Sequence, residues 1–187
     1  MSKAEELLDL GAQEYRKRNY QAAQTYYEKA AALGNAQAAC NLGYIYEFGR
    51  TGKKDPEKAF IYYKQAAEQD NAQACYKIGD AYLHSDFIKK DPNKVYYYYE
   101  KALNIAQSSN GADDDIKSDI LYRLALCYYY GIGTDKNYLI ALEFINNAQV
   151  YSYYDAFNHK FMWKPVATKV KNLREKIILA LDKELND

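Results

Sequence analysis

Asn35-Ala36-Gln37-Ala38 comes back 36 residues later as Asn71-Ala72-Gln73-Ala74, and the residues downstream of it recur at the same interval. Leu42-Gly43 returns as Ile78-Gly79, Asp55-Pro56 as Asp91-Pro92, and Tyr62-Tyr63 as Tyr98-Tyr99. A unit of this length is too small to bury its own apolar face, so such units stack in series and share a core. The period therefore predicts an all-α solenoid of antiparallel helix pairs, with about four units.

Each half-unit reads as a helix. In the second helices, small and aromatic residues fall on one stripe: Ala59, Tyr62, Tyr63, Ala66 and Ala67, then Val95, Tyr98, Tyr99, Ala102 and Leu103. Ala141, Phe144, Ile145 and Ala148 continue the series at the same helical period. Asp55-Pro56 and Asp91-Pro92 supply an N-cap carboxylate followed by proline at the first helical position, and Asn137 takes that place later. The first helices carry Ala39, Leu42, Gly43 and Tyr46, then Cys75, Ile78, Gly79 and Tyr82, then Leu121, Leu124, Ala125 and Tyr128. A small residue at the Gly43 position lets the following helix come close.

The spacing is not uniform. From Gly43 to Ala59, Gly79 to Val95 and Ala125 to Ala141 is 16 residues, but Gly11 to Ala23 is only 12, so the first unit has a shorter connection. The third full unit starts ten residues late, because Ile78 to Leu124 is 46 residues. The excess, Ser108 through Asp115, reads as an exposed loop leading into an acid-rich helix start. This divides the single domain, 1–187, into units at 4–34, 36–70, 72–106 and 116–150, with a capping region at 151–187. That last region is dense in Tyr151, Tyr153, Tyr154, Phe157, Phe161, Met162 and Trp163. Pro165 then precedes a helix with Val166, Val170, Leu173, Ile177, Leu181 and Leu185 on one face. A capping helical pair is the expected form, because a solenoid end needs a polar outer side.

Composition narrows the function. The 187 residues hold 25 basic and 25 acidic side chains, so the basic excess of a general nucleic-acid binder is missing. No apolar run is long enough to span a membrane, and Met1 through Glu6 has no signal-peptide character. The expected location is cytoplasmic. Cys40, Cys75 and Cys127 are odd in number and fall at different repeat positions, which argues for separate thiols.

The order Tyr46-Glu47-Phe48-Gly49, a loop ending Lys54-Asp55, Lys58-Ala59 and then Tyr62-Tyr63-Lys64-Gln65-Ala66-Ala67 resembles the Sel-like repeat, the longer-loop branch of the tetratricopeptide superfamily. Tyr128 to Ala148 repeats it with a fuller Gly131-Ile132-Gly133 loop, whereas residues 4–34 look like an ordinary tetratricopeptide unit. The departures are Ser85 at the loop glycine, Asn137 at the capping aspartate and Val95 at the helix alanine. The resemblance implies a right-handed α-α superhelix, with first helices on the concave side, acting as an adaptor. Some secreted relatives pin each helix pair with a disulfide, a cysteine pattern this chain lacks.

No chemistry-bearing motif competes. Gly131-Ile132-Gly133 follows a helix and lacks a third glycine, His84 and His159 stand apart without ligand spacing, and the acids at 113–115 lack the rest of a calcium loop. No nucleophile or acid–base motif is present, so no cofactor, metal or catalysis is expected. The stripe opposite the core of the first helices holds the candidate partner-binding residues. These are Tyr15 and Arg16; Gln37, Tyr44 and Glu47; Tyr76, Asp80 and Leu83; and Tyr122, Leu126 and Tyr129. Tyrosine with scattered charge suits a protein or peptide partner. The expected role is a non-enzymatic adaptor. The alternatives are a toxin-neutralising immunity protein or, remotely, an enzyme using the aromatic C-terminal stretch. The expected state is a monomer, or a weak homodimer through the C-terminal helix.

Overall fold

The computed structural model describes residues 1–160 and 163–186; Phe161 and Met162 of the aromatic stretch, and Asp187, lie outside them. The helices are α1 (Lys3–Arg16), α2 (Tyr20–Ala32), α3 (Ala36–Phe48), α4 (Pro56–Ala67), α5 (Ala72–His84), α6 (Pro92–Ser108), α7 (Asp114–Tyr130), α8 (Tyr138–Phe157) and α9 (Trp163–Asn186). No strand occurs among the described residues. Each helix packs against the next in the chain, and α9 packs on both α8 and α7. The molecule is an all-α helical repeat solenoid. Among the described residues, no helix is long and apolar enough to cross a membrane.

The caps form as the residue types dictate. The side chains of Asp55, Asp91 and Asn137 accept the backbone N–H of Lys58, Lys94 and Ile140 at 2.9, 3.2 and 3.0 Å. Asn35 and Asn71, which open the repeated tetrad, cap α3 and α5 at 2.8 Å each. The turn between α1 and α2 covers only 17–19, against 49–55 between α3 and α4. That difference is the four-residue shortening seen in the spacing.

Packing within a unit depends on the small position. A methyl group at Gly11 or Gly79 would stand 2.5 Å from the ring of Tyr27 or Tyr99, and one at Gly43 would meet Tyr63 just as closely. The second-helix tyrosine ring thus packs directly on the first helix at its glycine. In the last unit the equivalent pair is Ala125 and Ile145, both buried: a smaller partner leaves room for the methyl.

One expectation holds and one changes. The extra residues form a connection over 109–113 that leads into a helix start with Asp114 and Asp115 in its first turn. The adjoining helices are longer as well, α6 and α7 being 17 residues each against 12 and 13 for α4 and α5. The capping pair expected over 151–187 is a single helix, α9, since Tyr151 through Phe157 extend α8. Val170, Leu173 and Ile177 of α9 are buried, while Leu185 at its far end is exposed.

Candidate functional site

The first helices α3, α5 and α7 are joined by side chains that reach from one unit to the next. Lys77 on α5 donates to both carboxylate oxygens of Glu47 on α3, at 2.9 and 3.0 Å, and lies 4.8 Å from the ring centre of Tyr44. One unit on, Arg123 of α7 makes the same pair of contacts. Its Nε and Nη2 donate to Asp80 at 2.7 and 2.6 Å, and its guanidinium sits 4.6 Å from the ring centre of Tyr76. Lys77 and Arg123 each stand two residues before the small position, at Gly79 and Ala125. The second-helix tyrosines complete the arrangement, with Tyr63 donating to Glu47 at 2.5 Å and Tyr99 to Asp80 at 2.7 Å.

The electrostatics reflect this geometry. Burial works to raise the Asp80 carboxyl, but the hydrogen bonds and charge of Arg123 override it and hold the group below its ordinary value. Burial, then the neighbouring carboxylate, pushes the hydroxyls of Tyr63 and Tyr99 far up, so both remain neutral donors. Burial also drives the thiols of Cys40, Cys75 and Cys127 up to about 12, 11 and 12, which leaves them poor nucleophiles at neutral pH. Among the described residues, no cluster of His, Cys, Asp or Glu is arranged to hold a metal ion.

The residues expected on this face divide into groups. Tyr15 and Tyr44 line a cavity of about 210 Å³ with Tyr27, Asn41 and Gln73. Tyr76 is buried, and its hydroxyl meets that of Tyr44 at 3.2 Å, so it forms the wall behind the surface. Glu47 and Asp80 are the acids of the ion pairs just described. Asp80, Leu83, Tyr122 and Leu126 come together in a cleft of about 420 Å³. Arg16 and Gln37 are exposed, and Gln37 accepts from Asn71 at 3.1 Å. Tyr129 stands apart at the end of α7, against Tyr130 and Tyr138 with ring centres at 4.7 and 5.4 Å.

Sequence reasoning missed Lys77 and Arg123, whose shared register was the available signal. It also missed Val166 and Lys169 of α9, which line the larger cleft beside α5 and α7. Thus α9 takes the place of a fifth first helix, and the face continues across it. Glu47, Lys77, Asp80 and Arg123 are paired within the protein, Arg16 and Lys169 stand outside the described ion pairs, and aromatic and aliphatic walls line the openings.

The Sel1 repeat profile matches residues 4–35, 36–71, 72–104 and 118–148, which together cover most of the chain. The chain belongs to the Sel1 repeat family. Its first match takes in α1 and α2, the pair with the short turn. No curated protein matches this Sel1 repeat chain at a significant level. Among solved structures it is similar to a Sel1 repeat protein from Oxalobacter formigenes, with 25% identity and a TM-score of 0.66. That alignment covers 80% of this chain and 59% of the other, so the chain spans less than two thirds of that relative's length. The MamA protein shares the fold alone, at 20% identity and a TM-score of 0.52, over 98% of this chain and 90% of that one. Sel1 repeat folds are general protein–protein interaction scaffolds, typically without enzymatic activity.

Proposed function

We propose that this Sel1 repeat chain is a non-enzymatic adaptor that binds a protein, or an extended segment of one, along the face of its first helices. The observation that carries the reading is the cleft of about 420 Å³ where α5, α7 and α9 meet. Leu83, Tyr122, Leu126 and Val166 surround the Asp80–Arg123 pair, whose charges neutralise one another, with Lys169 of α9 also on the wall. Such a surface offers apolar burial at low desolvation cost, because its ion pairs stay intact on binding. The ladder of ion pairs also holds the helices in one geometry before a partner arrives, which lowers the ordering cost of association. The unbridged, buried cysteines support a reducing, cytoplasmic setting for this role.

The test is affinity capture from native lysate with the full chain, read by mass spectrometry, alongside Tyr122→Ala and Leu126→Ala. Both side chains are half-buried at the cleft, so circular dichroism should show an unchanged helical fold. Selective loss of a recovered partner supports the cleft. Equal recovery of every partner by both variants rejects it.

A further inference from the structure

The turn after α5 is where the repeat changes its own chemistry. After α3 and α7 the helix stops on a left-handed glycine, Gly49 at φ 61° and Gly131 at φ 73°. The loop then folds back, and the N–H groups of Asp55 and Asn137 donate to the carbonyls of Tyr46 and Tyr128 at 3.0 and 2.9 Å. Ser85 stands at this position after α5 and adopts extended backbone, φ −77° and ψ 149°. The chain leaves α5 by another path, which carries Phe87 to within 5.8 Å of the Phe60 ring centre. Phe60 in turn meets Tyr82 edge-on at 5.9 Å. Between this turn and the preceding one lies a cavity of about 280 Å³, walled by Phe60, Phe87, Tyr63 and Pro56, with Glu47 and Asp80 also in its lining, each already paired with Lys77 or Arg123.

The two turns that bound the cavity are basic. Arg50, Lys53 and Lys54 lie in one, and Lys89 and Lys90 in the other. The described ion pairs include none of these five. Arg50 instead lies over the rings of Tyr20 and Phe48, 5.6 and 5.4 Å from their centres. Asp55 and Asp91 of the same turns are the N-caps of α4 and α6. Asp86, beside Phe87, is the third acid of these turns, so five bases stand against three acids, a local excess of two in a chain of zero formal charge.

We propose that this cavity is an anchor site for an acidic polypeptide segment. One large apolar side chain enters between Phe60 and Phe87, while flanking glutamates or aspartates meet Arg50, Lys53 and Lys54 on one side and Lys89 and Lys90 on the other. Burial of the anchor supplies affinity, and the flanking charges steer approach and fix orientation. A bilayer or a nucleic-acid backbone uses the charges but leaves the aromatic cavity unfilled. The proposal rests on the reading of the chain as a protein-binding scaffold. Its test reads this edge alone, whereas the Tyr122 and Leu126 variants read the face of the first helices, so either can fail without the other.

The experiment is fluorescence anisotropy with the full chain and a labelled synthetic peptide, one central phenylalanine flanked on both sides by glutamate runs. Saturable binding is expected. It should weaken about tenfold when the peptide phenylalanine becomes alanine, and similarly for the Phe87→Ala protein. Lys53→Glu/Lys54→Glu should weaken it by about tenfold and reduce its salt dependence. These lysines are exposed loop residues, so that variant decides the matter even if Phe87→Ala fails to fold. Four results would each overturn the proposal: no binding, equal binding of the alanine peptide, undiminished binding by the lysine variant, or tighter binding of a thymidine oligonucleotide or phosphatidylserine vesicles.

Discussion

At Gly43 the Tyr63 ring occupies the space where a methyl group would be, and Glu47 holds that ring's hydroxyl in place. Gly43→Ala should therefore cost about 2 kcal/mol, the usual scale for overpacking a filled site. Adding Tyr63→Ile, which recreates the Ala125 and Ile145 pairing of the last unit, should recover part of that loss. Urea denaturation of the two variants checks both statements. The Asp80–Arg123 pair makes a second residue-scale prediction. Its side chains are only 25 and 19% exposed, so Asp80→Asn should cost about 2 kcal/mol, below the full penalty for breaking a buried pair. Because the folded-state carboxyl lies below its ordinary value, the stabilisation is present above about pH 4 and is lost as the pH falls through the folded value. Thermal midpoints of wild type and Asp80→Asn should thus converge in acid. Asp80→Leu/Arg123→Met should regain only part of the neutral-pH loss, since neither charge is then left unpaired but the buried Tyr99 hydroxyl loses its acceptor.

The helices differ in how openly the sequence declares them. Proline behind a capping aspartate, and a stripe at helical period, are signals confined to a few consecutive turns, so α3 to α6 are legible directly. Asp55→Ala should accordingly cost about 1 kcal/mol, measurable by thermal melting, because it frees the N–H of Lys58 at the start of α4. The end of α8 escapes such a reading for a physical reason. Asp155 is buried there, accepting from Ser118 of α7 at 2.7 Å and from Lys160 at 3.2 Å, so a charged residue occupies part of the inward stripe. With α7 on one side and α9 on the other, the apolar pattern loses its single face. The ion-pair ladder is hidden differently. Glu47 and Lys77 are 30 residues apart, and only the register of units, set by packing, brings them together. Helical phase alone places Leu83, Tyr122 and Leu126 on one face, but does not show that Tyr76 is buried behind it or that α9 contributes a wall.

Across the whole molecule, stability passes from neighbour to neighbour, since each helix packs chiefly on the ones beside it in sequence. Removing residues 163–187 should therefore strip amide protection first from α8 and α7, while α1 and α2 keep theirs; hydrogen exchange with mass spectrometry measures the gradient. The covering role falls to Val170, Leu173 and Ile177, with a charged outer surface on the same helix. The cysteines give this behaviour a readout. Cys40, Cys75 and Cys127 sit on α3, α5 and α7, one to a unit, each buried and with its thiol held in the unreactive form. A thiol-modifying reagent reaches a given sulfur only when that unit opens. The order in which the sites are labelled in the unmodified protein is then a clock for fraying along the superhelix, with no probe needing to be engineered in.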